Sequence, residues 1–186
     1  EKNELIVIPG MEVETKEGVH LLCLFEDLEQ VLIWQKSIYD SLPDRKNEEE
    51  VFGYQIVTDE ADNYINKVDR LLATATSLTI DDVIRKVRGI GGIVIPSHIN
   101  RTNGIITNLG FIPSELELSV LEILPDTEIE KYVEQLPFLE EYQFVKNSDS
   151  HFLKQIKPRT EIWLEEVSLE EIMNVLKGRK GRKLFL

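Results

Sequence analysis

Asp149 and His151 stand two residues apart behind the apolar pair Phe144 and Val145, in the run Ser148-Asp149-Ser150-His151. Carboxylate and imidazole at that spacing read as two metal ligands presented where a strand becomes a loop. The chain holds three histidines, and the other two, His20 and His98, also lie at the edges of strand-like apolar runs. Histidines so sparse, each at a strand boundary, suggest a metal site assembled from distant segments. Taken singly, His20 and His98 read as structural histidines and Arg101 as a surface cation, so the inference rests on the joint pattern. Glu12 is a further candidate ligand, although Glu14 is equally well placed by composition.

Imidazole and carboxylate suit zinc, manganese or iron. Neither Cys-x-x-Cys nor His-Glu-x-x-His occurs, which disfavours a closed structural zinc site and a zincin-type protease. Mixed His, Asp and Glu ligands with a bridging carboxylate suit a multinuclear hydrolytic centre, which lowers the pKa of bound water and neutralises charge developing on a phosphate. No Walker A loop and no G-x-G-x-x-G is present, so nucleotide binding of those kinds lacks support.

The elements that must position these residues follow from pattern. Leu5–Ile8 reads as a buried strand closed by Pro9-Gly10. Met11–Thr15 and Val19–Phe25 form a hairpin around Lys16-Glu17-Gly18, which brings Glu12 close to His20 or Leu21. Leu28–Leu42 has helical spacing at Leu28, Val31, Leu32, Ile38 and Leu42, with Asp27 as N-cap. Residues 43–72 are charged, irregular and weakly periodic, and read as an inserted segment. Thr79 caps a helix ending near Gly89, where Gly89–Gly92 reads as a helix stop, and the strand Ile93–Pro96 leads directly to His98. Val120–Leu124, Phe144–Lys146 and Glu161–Leu164 read as strands, with helices over Thr127–Gln135 and Ser168–Leu176, the second opened by a capping box of Ser168 and Glu171. Alternating strands and helices point to an α/β fold with a parallel sheet or barrel. In such folds chemistry gathers at the C-terminal ends of strands, where His98 and the Asp149/His151 pair fall.

The 186 residues suffice for one domain with a real core. The single cysteine, Cys23, excludes an internal disulfide framework, reads as a small buried hydrophobe and suits a reducing cytoplasm. No run is long and apolar enough to span a membrane, so no membrane partner is expected. The formal net charge of -13 makes non-specific binding to duplex nucleic acid unfavourable but leaves a small phosphorylated substrate open. The basic run Lys177–Lys183 reads as cations at a helix C-terminus.

Four motifs together resemble those of the PHP family, named for polymerase and histidinol phosphatase. Pro9-Gly10-Met11-Glu12 resembles its P-G-x-E strand, Val19-His20-Leu21-Leu22 its histidine strand, Ile95-Pro96-Ser97-His98 its third motif, and Ser148-Asp149-Ser150-His151 its final D-x-H motif. The resemblance implies a distorted (β/α)7 barrel binding up to three divalent transition metal ions and hydrolysing a small phosphomonoester or nucleotide phosphate, with a metal-bound hydroxide attacking phosphorus. It implies that Glu12, His20 and His98 form one metal centre, that Asp149 and His151 serve two more, and that Arg101 meets the substrate phosphate. The family's opening H-x-H strand and Asp-His pair do not occur, so residues 1–186 are expected to be one N-terminally incomplete PHP-like domain. Two other functions compete: a nuclease acting on nucleotide or oligonucleotide ends, and a non-catalytic scaffold or regulatory module.

Overall fold

The computed structural model describes residues 6–179, 181 and 184–186. Its central element is a three-stranded sheet in the order β1 (Gly10–Glu14), β2 (His20–Leu24), β5 (Ile93–Pro96), with β2 antiparallel to both neighbours. The hairpin expected from the alternation at residues 11–15 is present, with Glu12 opposite Leu22 and Glu14 opposite His20. Side chains alternate across the sheet, so Glu12, Glu14, His20 and Leu22 share one face while Val13, Leu21 and Cys23 share the other.

Each face of the sheet is covered by its own apolar cluster. Val13, Leu21, Cys23 and Val94 pack with Trp34 and Ile38 of helix α1 (Leu28–Ser41) and with Val83, Ile84 and Val87 of helix α3 (Ile80–Gly89). On the opposite face Ile93 and Ile95 meet Leu169, Ile172 and Leu176 of the C-terminal helix α6 (Leu169–Leu176). The helices start where the sequence predicts. Asp27 accepts from the Gln30 N–H while the Gln30 side chain caps in return, Thr79 and Asp82 do the same for α3, and Ser168 accepts from the Glu171 N–H.

The strand β6 (Val120–Glu122) pairs in parallel with β7 (Gln143–Val145), as the strand–helix alternation requires. Between them lie helix α5 (Ile129–Gln135) and a 3-10 turn over Pro137–Glu141. The chain just past β5 is tied to the end of β6 by the Ile99 N–H donating to the Glu122 carbonyl (2.8 Å), and the Ile123 N–H reaches the Val145 carbonyl (3.0 Å). The ends of β5, β6 and β7 therefore meet, with Glu122 closing β6 and the loops after β5 and β7 carrying His98 and Asp149. A short helix α4 (Ile105–Leu109) follows the His98 loop, and β8 (Glu161–Ile162) pairs with β9 (Leu184–Phe185).

Several expectations are corrected. Ile6–Ile8 form no strand; Ile6 and Val7 are exposed while Ile8 packs against the second cluster, and Leu5 falls outside the described residues. In α1 the buried stripe is Trp34 and Ile38 followed by Leu42, whereas Leu28 and Leu32 face solvent. The segment 43–72 is ordered into a short helix α2 (Glu49–Phe52) and an antiparallel hairpin of β3 (Ile56–Thr58) and β4 (Tyr64–Lys67), every strand residue of which is exposed. Of the basic run, Lys180, Arg182 and Lys183 lie outside the described residues. Cys23 is buried and unpaired, as expected. Among the described residues no helix is long and apolar enough to cross a membrane.

The turn from α3 into β5 depends on Gly92, where a Cβ would stand 2.6 Å from the Phe25 ring and 2.7 Å from Val87 Cγ1. Overpacking of this kind costs about 1–3 kcal/mol. Gly92→Ala is accordingly expected to lower the urea midpoint by that free energy, while Gly89→Ala, whose Cβ meets nothing within 4 Å, leaves it nearly unchanged.

Candidate metal centre

Three of the residues singled out from sequence converge. Glu12 is the central residue of β1, His20 opens β2, and His98 sits two residues beyond β5. Their ligand atoms all lie within 4.8 Å of one another. Glu12 Oε1 is 3.6 Å from His20 Nδ1 and 3.4 Å from His98 Nε2, and the two imidazole rings stand edge to face with centroids 5.2 Å apart. Between Glu12 and Glu14, equally placed by composition, geometry selects Glu12. Glu14 reaches only the far nitrogen of His20, at 4.0 Å.

The backbone holds His98 in an uncommon conformation, with φ at 28°. Such a conformation persists only where surrounding bonds over-determine it. Here the Ile99 N–H is fixed on Glu122, the Arg101 N–H donates to the His98 carbonyl (2.8 Å), and the Ser97 N–H donates to the His20 carbonyl (3.0 Å). The loop then folds so tightly that a Cβ on Gly104 would sit 2.3 Å from the Ile99 carbonyl oxygen. Only glycine allows that approach.

The electrostatics match a cation site. The adjoining imidazoles of His20 and then His98 hold the Glu12 carboxyl far below the usual carboxylate range, against the opposing effect of burial. Burial disfavours charge on His98, yet the hydrogen bond and charge of Glu12 outweigh it and leave its pKa above the ordinary value. The Nδ1 atoms of both His20 and His98 are buried without a hydrogen-bond partner. The unpartnered Nδ1 of His20 and the Nε2 of His98 both face the ionised Glu12 carboxylate, and this donor set fits a divalent transition metal.

The remaining sequence candidates do not join this cluster. Asp149, with φ at 42°, forms an ion pair with Arg101. Its charge still reaches His98, which it helps to keep protonated. His151 is exposed, and its Nδ1 lies 3.0 Å from the Asp149 carbonyl oxygen. Two residues missed from sequence border the centre. Glu122 ends β6 almost fully buried, and burial raises its pKa despite a hydrogen bond from Asn147 Nδ2 (2.9 Å). A carboxylate inside the apolar run Val120-Leu121-Glu122-Ile123-Leu124 was the available signal. Asn103, whose side chain lies 3.0 Å from His20 Nε2, carried no sequence signal.

A cleft of about 740 Å3 opens beside the cluster. It is lined by Glu12, His20 and Asn103, by Ile38 and Tyr39 of α1 with the capping residue Leu42, and by Val68 and Leu72 of the segment 43–72.

No sequence-family model matches the chain, and no curated protein does. Its fold is similar to two solved structures. One is the lesion-specific endonuclease Q of Pyrococcus furiosus, with a TM-score of 0.63 at 19% identity over 95% of this chain. The other is endonuclease Q in complex with a 27-mer duplex substrate bearing an abasic lesion at its active site, with a TM-score of 0.57 at 17% identity over 94% of this chain. The chain spans 40% of the length of each.

The paired shifts fix a pH dependence for the metal-free protein. Glu12 is depressed from 4.5, so its contribution to stability is present above about that pH and is lost as pH falls through its folded value. His98 is raised from 6.5, so its contribution is complete below 6.5 and is lost as pH rises through its folded value. Thermal unfolding in a chelator is expected to show a loss of stability on the alkaline side of 6.5 that shrinks in Glu12→Gln.

Proposed function

We propose that this chain carries the metal centre of a metal-dependent hydrolase of phosphoester bonds, of nuclease type. The observation that carries the reading is the convergence of Glu12, His20 and His98 within 4.8 Å. Three protein ligands that leave coordination positions open are the pattern of catalytic rather than structural sites. The likeness in fold to a lesion-specific endonuclease supports nucleic acid as the substrate class, in place of the small phosphorylated substrate that the resemblance implied. The assignment extends to the PHP superfamily and to a (β/α)7 barrel of that type, in which residues 43–72 are an insertion that shapes the substrate cleft.

A bound zinc, manganese or iron ion would polarise a phosphoryl oxygen and lower the pKa of a bound water. Glu12, ionised across the neutral pH range, supplies the negative charge that retains the ion. His98 supplies a neutral nitrogen donor once it has lost its proton, and His20 a second nitrogen, so cation binding strengthens as pH rises. The Arg101 guanidinium, three residues beyond His98, suits a phosphate oxygen, and Asp149 orients it through their ion pair. Asp149 and His151 remain candidates for further ions.

A second reading, hydrolysis of a small phosphomonoester, draws on the net charge of -13, which works against a polyanion at long range. The two are separated by assaying the full chain with manganese or zinc against a duplex carrying an abasic site and against a small phosphomonoester. Metal-dependent strand cleavage is expected. Glu12→Gln and His98→Gln are each expected to lower it by more than about 100-fold, beyond the loss typical of groups that only support a ligand. A chain that binds no metal and cleaves neither substrate would instead favour the non-catalytic scaffold.

A further inference from the structure

Asn103 grips His20 twice. Its carbonyl accepts from the His20 N–H (2.9 Å), and its side-chain amide lies 3.0 Å from His20 Nε2. On the other side of the ring, Nδ1 is buried, lacks a hydrogen-bond partner and faces Glu12. A neutral imidazole carries one proton, so the two nitrogens cannot both be donors or both be acceptors. A proton on Nδ1 would occupy the lone pair directed at the cluster. A proton on Nε2 would point at the Asn103 amide, with the Glu14 carboxylate 4.0 Å away on the same side.

From this we infer that Asn103 is a positioning residue that selects the tautomer of His20, an inference that rests on the metal-centre reading. An amide can face Nε2 with either end. With Nδ2 toward the ring it donates to Nε2, and the proton resides on Nδ1. Rotated about its last torsion, it presents Oδ1, accepts from Nε2–H and frees the Nδ1 lone pair for a divalent cation. Asparagine satisfies His20 in both states at the same heavy-atom spacing. The backbone bond from His20 to Asn103 keeps the ring and the amide in register while the proton changes nitrogen. Aspartate at this position would hold only the Nε2–H tautomer, and leucine, of similar volume, would hold neither.

The test uses zinc alone, titrated calorimetrically into the full chain, together with nitrogen-15 spectra of the His20 ring. Wild type is expected to bind zinc through Nδ1, with Nε2 keeping its proton. Asn103→Leu is expected to weaken zinc binding by about 10–100-fold, the usual loss when a partner of a ligating histidine is removed. Asn103→Asp, which still accepts from Nε2–H, restores binding to within a few-fold of wild type. Ligation of His20 through Nε2, or Asn103→Leu affinity within two-fold of wild type, overturns the role of Asn103 and leaves the metal centre standing. Absence of zinc binding by wild type overturns both. Should Asn103→Leu fail to fold, the wild-type spectra alone decide, because they report directly which nitrogen holds the proton.

Discussion

The pairing register of β2 is the constraint on which the site depends. As the central strand it fixes β1 on one side and β5 on the other. Alternation then sends Glu12 and His20 to one face while Val13, Leu21 and Cys23 go to the core. A slip of one residue in β1 would drive Glu12 among Trp34 and Val83 and turn Val13 outward. Burying an unpaired carboxylate and exposing a core valine are both costly, so the apolar core enforces the register that the chemistry needs. The same strand brings in the third member of the cluster. Because β5 runs antiparallel to β2, its end arrives beside the start of β2, and the chain has only to turn once for His98 to face Glu12.

Much of that arrangement was legible in sequence. The hairpin was marked by alternation around a Lys-Glu-Gly turn, the helices α1, α3 and α6 by their caps, and β5 by an apolar run ended at proline. His20 and His98 were legible as candidates because each abuts such a run. What sequence could not supply is distance. Glu12 and Glu14 look alike in a strand, and the register even sets Glu14 opposite His20; only the approach of Glu12 to both imidazoles makes the choice. Asp149 and His151 looked the strongest by spacing, yet the turn around them spends Asp149 on Arg101 and leaves His151 in solvent. The β3–β4 hairpin was illegible because both its faces are wet, so no alternation of apolar and polar residues was written into it.

Charge around the centre is graded. Glu12 stays ionised because two imidazoles share it, whereas burial raises the pKa of Glu122 despite the Asn147 hydrogen bond and the charge of His98. The two carboxylates thus differ in what surrounds them, and burial alone does not mark a ligand. The overall acidity of the surface bears on encounter with a polyanion, while the local field is set by these few groups.

The hairpin of residues 56–67 has one more consequence. A two-stranded ribbon with both faces in water draws little stability from burial, while the sheet beneath it is clamped between two apolar clusters. Its amides should therefore open at a far smaller free energy than those of β2, as a separate cooperative unit. Val68 and Leu72 belong to the root of this ribbon and to the wall of the cleft. The cleft thus joins a floor held by two apolar clusters, which keeps Glu12, His20 and His98 together, to a rim rooted in a wet ribbon, so that access and convergence are expected to obey separate clocks.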